Sequence, residues 1–451
     1  RPCMRRKRMD RIGKQRTIRV VLLIGAFLLF FGTAAQGAIV GISGQTFKLV
    51  AKQDVIVTSD GDSTIIWGYA VINSATGKAG RAQYPGPTLM VTEDVPVTIT
   101  LTNELPDESG NVSMVFPGHQ VDASDGVEGL LTREARQAHL KPIGLSEKTV
   151  TYTFTPTEPG TYLYRSGTRA DLHVEMGLFG ALIVRPAATP AGGDPEKKYA
   201  YNHVDTEYDR EFLYLVSEMD PLIHRQVEEQ QWNLINFTKY FPTNWFINGR
   251  NFPDVLAENN VPWLPTQPYN CQPRMHPGEK VLIRFIGAGR AVHPMHFHGN
   301  DFETIAVDGR LLSSGPGVGP DLAWQATTIK SIPGQTADLV WGWTGKELGW
   351  DIYGHSPEDP LEPHEYAPNH GKPFPVVLPP RDAVTYGPFY SGSPFLGGEG
   401  ELPPGHGGLN AAGGYFYMWH SHTEKELTSN DIWPGGLVSF MIVEHPDVPI
   451  D

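Results

Sequence analysis

Cysteine is almost absent from this chain. Only Cys3 and Cys271 occur among its 451 residues. Cys3 precedes a long apolar stretch that we interpret as a leader, so its removal would leave one thiol and no internal disulfide. Cys271 lies in the proline-rich stretch PTQPYNCQPRMHPGEK. Because such a stretch is typical of a loop, we predict a loop thiol without a catalytic role.

Clusters of positive charge are also missing after the leader. The chain has 36 Lys and Arg against 50 Asp and Glu, which gives a formal net charge of −14. Proteins that bind nucleic acids usually carry basic patches that contact phosphates. We therefore expect no nucleic-acid partner, and charge alone identifies no other partner.

Long hydrophobic runs are confined to the N-terminal region. Residues 4–37 combine a basic segment, an apolar segment at 20–34 and small residues at the end, which is the pattern of a secretory signal. We assign 1–38 to this leader and predict a secreted, periplasmic or cell-surface protein. The alternative is an uncleaved membrane anchor, because the uncharged run 20–45 is long enough to span a bilayer.

The remaining sequence is rich in turn residues and in short alternating segments. Glycine and proline number 49 and 39, and segments such as STIIWGYAVI and PVTITLTNEL have the composition of strands. These features predict an all-β fold of sandwich type. We place domain 1 at 46–186, a linker at 187–198, and domain 2 at 199–451 with a long loop insertion near 345–414.

Two histidine clusters suggest a metal site. The segment HPMHFHG begins at His293, and the segment YMWHSH ends at His422. Successive strand residues point to opposite faces, so an H-x-H pair on a strand places both imidazoles on one face. A lone histidine is more often a hydrogen-bonded core residue, but five in two short segments favour a metal. The predicted ligands are His293, His296, His298, His420 and His422.

Ligand chemistry favours copper over the other metals. Imidazole suits copper, zinc, iron and nickel, and copper binds most tightly in the usual order of divalent affinities. We predict one copper ion, with two ions as an alternative and zinc as the less favoured metal. Met295 and Met418 could add thioether ligands, but strand alternation places them on the face opposite His296 and His420. Core packing is therefore the simpler interpretation of both methionines.

The two motifs resemble those of the C-terminal domain of multicopper oxidases. The segments GTYLY, NWFINGRNFPD and HPMHFHG extend this resemblance over most of the chain after the leader. The resemblance implies two cupredoxin-like Greek-key β-sandwich domains. It also implies a type 2 copper at His296, a type 3 pair at His298, His420 and His422, and a type 1 ligand at His293. In two-domain relatives this cluster forms between subunits of a trimer, so a homotrimer is an expectation here.

The same resemblance indicates that several copper ligands of the family are missing from this chain. The cysteine of the type 1 site aligns with Ser421, and its next histidine aligns with Glu426 on an ungapped count. Four cluster histidines expected in domain 1 are replaced by Val115, Pro117, Arg165 and Gly167. The resemblance therefore implies neither a type 1 copper nor a complete three-copper centre in this chain.

Two further questions have alternative answers, namely whether other histidines replace the missing ligands and what the protein does. His119 and His173 could substitute for the missing ligands, although a polar role in loops is the simpler interpretation. We predict an exported protein that binds copper through a reduced histidine site in domain 2. The resemblance implies an oxidoreductase acting on a small molecule or a metal ion. The alternative is a non-catalytic cupredoxin scaffold that binds copper or a protein partner.

Overall fold

The computed structural model describes residues 38–137, 145–276, 278–343, 360, 415–444 and 449–450. The predicted leader, apart from Ala38, lies outside these residues. Most of the predicted loop 345–414 also lies outside them, together with its four histidines His355, His364, His370 and His406. Within the described ranges, no helix has the length and apolar character needed to cross a bilayer.

The described residues up to Arg185 form nine strands. They are β1 Ile42–Ser43, β2 Thr46–Val57, β3 Ser63–Val71, β4 Gly86–Thr92, β5 Val97–Glu104, β6 Asp122–Asp125, β7 Thr149–Phe154, β8 Gly160–Arg165 and β9 Phe179–Arg185. Two short helices accompany them, α1 Leu145–Lys148 and α2 Ala170–Met176. The strands form one sheet in the order β3-β2-β5-β7-β6 and another in the order β1-β4-β9-β8.

The described residues from Lys198 onward contain fourteen strands and one α-helix. The strands are β10 Lys198–Tyr199, β11 Glu207–Tyr208, β12 Arg210–Met219, β13 Asn244–Ile247, β14 Arg274–Met275, β15 Lys280–Gly287, β16 His293–Phe297, β17 Phe302–Val307, β18 Arg310–Leu311, β19 Trp324–Ala326, β20 Thr328–Ser331, β21 Thr336–Gly342, β22 Tyr415–Ser421 and β23 Val438–Val443. The helix α3 spans Pro221–Glu228. One sheet has the order β13-β12-β15-β21-β17-β18, with β19 beside β17, and the other has the order β14-β23-β22-β16-β20.

Each pair of sheets encloses an apolar core. Strand β5 alternates buried and partly exposed residues, as its period-two pattern predicts. Strands β15 and β23 are buried almost throughout, which fits their continuous apolar sequences. The first core takes residues from both of its sheets, including Leu49 and Leu182, and the second does likewise, including Phe285 and Trp419. The all-β prediction is confirmed, while the predicted domain boundaries stay a prediction.

A short helix leads directly into the last strand of the first part. Glu175 and Met176 end helix α2, and β9 begins at Phe179. Gly177 follows the helix with φ of 115°, a backbone conformation that favours glycine. The helix turn buries the Glu175 side chain, which a strand would have placed differently.

A glycine allows the two sandwiches to approach each other closely. Gly249 has φ of +80°, and a Cβ atom there would overlap the carbonyl oxygen of Tyr84. We expect Gly249→Ala to lower the free energy of unfolding by about 2–4 kcal/mol, because backbone strain and overlap add. Urea titration measures the effect. The control is Gly80→Ala, where the nearest atom would lie at 3.6 Å, and equal losses in both variants would contradict the prediction.

Candidate metal centre

Two neighbouring strands bring the histidine motifs together. Strands β16 and β22 are antiparallel partners, and His296 lies directly opposite His420. Residues opposite each other in a sheet point to the same face, so both imidazoles share one side. Phe297 and Trp419, which form the next pair, are fully buried on the core side. The local H-x-H pattern and the strand pairing therefore cooperate to build the cluster.

Four imidazoles lie in contact with one another. We call His296, His298, His420 and His422 the histidine cluster. The ring centroid of His296 lies 5.1 Å from that of His298 and 4.8 Å from that of His422. The ring centroid of His420 lies 4.8 Å from His298, 5.1 Å from His422 and 6.0 Å from His296.

Hydrogen bonds determine which ring nitrogens of His420 and His298 carry a proton. The Nδ1 atom of His420 lies 2.7 Å from the carbonyl oxygen of Ser421. A carbonyl oxygen only accepts, so Nδ1 donates and Nε2 of His420 keeps its lone pair. This Nε2 lies 2.7 Å from Nε2 of His298, which therefore donates to it. On the other side, His296 Nδ1 lies 2.8 Å from the Thr328 hydroxyl.

The surroundings favour the neutral form of His296, His298 and His420. Burial is the main cause that lowers the pKa of His420 to about 4, and the neighbouring histidines lower it further. Burial also lowers the pKa values of His296 and His298, again helped by adjacent imidazoles. Metal ligands must be deprotonated imidazoles, so this donor set fits copper or zinc.

A metal would require a small rearrangement of the rings. Two nitrogens bound to one ion at about 2.0 Å are separated by about 3.3 Å in tetrahedral geometry, which exceeds the His298–His420 contact. Consistent with this, no group of three or more His, Cys, Asp or Glu side chains within the described ranges is already arranged around an ion position. A shift of a few tenths of an ångström in either ring, together with transfer of the His298 Nε2 proton to its Nδ1 or to solvent, would free both nitrogens to bind an ion.

The position where the family resemblance would place a type 1 copper is filled by an ionic network. His293 is 1% exposed, and its Nδ1 and Nε2 lie 2.9 Å from Glu426 Oε2 and 3.0 Å from Glu218 Oε2. The Ser421 hydroxyl donates to the same Glu426 oxygen at 2.5 Å. We call His293, Glu218, Glu426 and Ser421 the His293 network. It brings together the three residues that align with type 1 ligands, with a second carboxylate that the sequence motif does not contain.

The His293 network carries a buried positive charge. Burial lowers the pKa of His293, but hydrogen bonds and charges of Glu218 and Glu426 outweigh this effect and raise it to about 9. At neutral pH both ring nitrogens therefore carry protons, and an imidazolium has no lone pair for a metal. The role of His293 as a metal ligand stays a prediction, and it would require loss of a carboxylate contact.

Glu218 is the residue that sequence reasoning missed. It lies near the end of β12, and its Oε1 also accepts from the backbone N–H of Ala291 at 2.8 Å. Nothing in its local sequence marks it, because an acidic residue at a strand end is usually exposed. Here it is 3% exposed. Its importance appears only when β12 and the segment before β16 are brought together.

The thiol of Cys271 lies away from the histidine cluster. Cys271 is 1% exposed within the second core, and its Sγ donates to the carbonyl oxygen of Leu213 at 3.4 Å. Burial raises the pKa of this thiol well above its usual value. Cys271 therefore supplies no thiolate to the histidine motifs. Met295 is fully buried and Met418 packs against the same core, which fits core packing for both.

The four residues of domain 1 that stand where the family has cluster histidines offer no copper ligands. Val115 and Arg165 pair through backbone hydrogen bonds of 2.8 Å and 3.2 Å. A Cβ atom on Gly167 would lie 2.6 Å from the Val115 side chain, so even a small residue is crowded there. The Pro117 side chain has no atom that can bind a metal. The Arg165 guanidinium is cationic and donates a hydrogen bond to the Ser166 carbonyl oxygen at 3.1 Å. None of these four side chains can ligate copper.

The two candidate substitutes have other roles. His119 stacks on Phe154 with 5.1 Å between ring centroids. His173 is fully buried, with Nδ1 at 2.9 Å from the Ser166 hydroxyl and Nε2 at 3.1 Å from the Ser109 carbonyl oxygen. Burial is the main cause that lowers both pKa values to about 4. In the described part of the chain, neither ring contacts the histidine cluster.

Sequence comparisons agree with the strand and motif pattern. Two family models, each described as multicopper oxidase, match residues 74–189 and 226–332. A multicopper oxidase of Talaromyces pinophilus is 37% identical over 109 residues, which cover 24% of this chain and 16% of that protein. Laccase 1 of Metarhizium majus is 37% identical over 115 residues, which cover 25% and 16%. The match thus spans about a sixth of the length of these relatives.

Solved structures share the fold. The blue copper oxidase of Nitrosomonas europaea has a TM-score of 0.52 at 17% identity, over 90% of this chain and 87% of that one. The multicopper oxidase mgLAC has a TM-score of 0.52 at 18% identity, over 91% and 88%. The paired sandwiches, the two matching family models and the histidine motifs lead to one conclusion, which is that this chain belongs to the multicopper oxidase family.

Proposed function

We propose that this chain is an exported copper-binding oxidoreductase that uses a reduced metal site. The histidine cluster would hold one copper ion, with a second ion as the alternative and zinc as the less favoured metal. The observation that carries this proposal is the contact of four imidazoles at the junction of β16 and β22, three of which, His296, His298 and His420, have lowered pKa values. Bound copper would supply a one-electron redox couple at this position.

The surroundings of the cluster support access by a small substrate. The His422 side chain is 53% exposed, whereas the His420 residue is 7% exposed. The cluster thus has a buried side that fixes its rings and an open side that a molecule can reach. We propose a small organic molecule or a metal ion as the substrate, because the exposed imidazole admits either one.

The His293 network limits which reactions the site supports. A type 1 copper needs a thiolate, and the aligned Ser421 hydroxyl instead donates to Glu426. Electrons would therefore reach the histidine cluster directly from the substrate. A complete three-copper centre is not part of the proposal, because Val115, Pro117, Arg165 and Gly167 offer no ligands.

Metal content of the purified full chain tests the proposal. We expect about one copper per chain after loading and dialysis, a type 2 signal in the electron paramagnetic resonance spectrum, and no intense blue colour, because thiolate-to-copper charge transfer requires a cysteine ligand. Oxygen uptake with a phenol or a reduced metal ion then measures activity. Three or more coppers per chain, or a blue protein, would contradict the reduced site.

The alternative is a non-catalytic cupredoxin scaffold that binds copper or a protein partner. The direct His298–His420 hydrogen bond favours it, because the pair is satisfied without a metal. Copper binding without oxygen uptake for any substrate would support this alternative.

Export and a homotrimer are further parts of the proposal. N-terminal sequencing of the secreted chain and light scattering with chromatography test them.

A further inference from the structure

A second cavity lies apart from the histidine cluster. It is a cleft of about 810 Å³ with one wall from the first sandwich, around His119 and Tyr162. The other wall comes from the second sandwich, around Tyr201 and the loop 309–319. No residue of the histidine cluster lines it. Its size is within the range of pockets that bind small organic ligands, about 300–1,000 Å³.

The floor of the cleft is held rigidly. The Tyr162 hydroxyl donates to the carbonyl oxygens of Glu158 at 3.0 Å and Gly309 at 3.3 Å. A Cβ atom on Gly118 would come within 3.0 Å of the Tyr162 ring, and one on Gly309 would overlap it. Both glycines have positive φ, and a side chain at either one would press against this ring, so the two walls meet closely there. The hydrogen bond from Tyr162 to Gly309 joins the two walls of the cleft.

His119 presents an uncharged imidazole to the cleft. Its ring stacks on Phe154 and lies 4.4 Å from Tyr162 between ring centroids, so its orientation is fixed. Burial lowers its pKa to about 4, which keeps it neutral at physiological pH. Its Nε2 is buried and has no hydrogen-bond partner among the described residues. The ring therefore lines the cleft without adding a charge.

The charged groups of the cleft have opposite signs. Glu158 and Arg310 are both exposed, and neither forms an ion pair within the described residues. Asp308 adds a second carboxylate on the wall of Arg310. An anion would face two carboxylates, and a cation would face the guanidinium. A neutral ligand with many hydroxyl groups can donate to the carboxylates and accept from Arg310 at once.

We infer that this cleft binds a short neutral saccharide, held by Glu158 and Arg310 beside the imidazole of His119. This site is independent of the copper proposal, since it needs no metal. Its ligand would be a sugar chain of a few residues, from a polysaccharide or a glycan outside the cell.

Isothermal titration calorimetry of the full chain, without added copper, tests the inference. The probes are cellotriose and xylotriose. Gly315→Leu would project into the cleft, because a Cβ atom there has open space except for one Val318 methyl at 3.7 Å. We expect wild type to bind at least one probe and this variant to lose binding by more than tenfold. The matched control, Gly80→Leu, adds the same side chain at another open position, where the nearest atom would lie at 3.6 Å. It should bind as wild type does.

A second pair of variants keeps the test decisive if Gly315→Leu fails to fold. Glu158→Gln and Arg310→Gln each remove a charged hydrogen-bonding partner at the surface, and each should weaken binding by about tenfold. No heat of binding with either probe in wild type would overturn the inference. So would equal affinity in wild type and in all three cleft variants.

Discussion

His420→Ala is expected to remove copper from the protein. His420 touches all three other members of the histidine cluster and provides the Nε2 lone pair at its buried side. Loss of a group that merely orients a ligand costs about 10–100-fold in metal affinity, so loss of this ligand should exceed about 100-fold. Copper per chain after dialysis measures retention, and competition with a chelator of known affinity gives the dissociation constant.

A matched variant separates this effect from a general loss of histidine. His203→Ala removes a partly buried imidazole outside the cluster, where the ring accepts from the Asp205 backbone N–H at 3.2 Å. It should retain copper as wild type does. Unchanged copper in His420→Ala would reject the histidine cluster as the site. Equal losses in both variants would point to damage of the fold instead.

The stability of the protein is expected to fall as pH rises from about 6.5 to about 9. The folded state raises the pKa of His293 from 6.5 to about 9, so the folded state holds its proton more tightly than the unfolded chain does. The resulting stability is fully present below the unfolded pKa and is lost as pH passes through the folded value. The shift corresponds to about 3 kcal/mol. Urea titrations between pH 6 and pH 9.5 measure it.

Glu426→Gln isolates the part of this slope that belongs to His293. The amide still accepts from Ser421, but it no longer stabilises the imidazolium, so the loss of stability should move to lower pH. Glu175, whose pKa burial raises to about 8, acts in the same direction and remains in both proteins. Its contribution therefore cancels in the difference between wild type and variant. An unchanged alkaline slope would show that His293 is neutral in the folded protein.

Glu279→Gln is the matched control for this pH experiment. Burial raises the pKa of Glu279, but hydrogen bonds and the charge of Arg210, with His276, outweigh burial and lower it to about 2. A carboxyl group with a lowered pKa contributes stability above its unfolded pKa and loses it as pH falls. The variant should therefore change the acid side of the profile and leave the slope above pH 6.5 as in wild type.

The protonation of His293 between two carboxylates has a physical explanation. Ser421 cannot replace a thiolate, and the position is too buried to leave two carboxylates without a counterion. The imidazolium supplies that counterion between Glu218 and Glu426. Removal of one partner from such a buried set typically costs about 3–5 kcal/mol. The network thus joins strands β12, β16 and β22, and the last two of these strands also carry the histidine cluster.

The sequence by itself determined the features that depend on near neighbours. Period-two alternation fixed β5 as a strand, and H-x-H spacing placed the imidazoles of each motif on one face. The identities of Ser421, Val115 and Arg165 were enough to remove a thiolate and imidazoles from positions where the family motif has them. These features follow from local backbone geometry and side-chain chemistry.

Only the tertiary structure decided which distant groups meet. The pairing of His293 with Glu218 depends on how β12 and the start of β16 pack, and no local pattern encodes that approach. Burial then decided the charge states, because the same residue type is protonated at His293 and neutral at His420. The cleft beside His119 likewise exists only because Tyr162 and Gly309 bring two sandwiches together. Contacts between remote strands set distance, solvent access and pKa, and these quantities cannot be read from neighbouring residues.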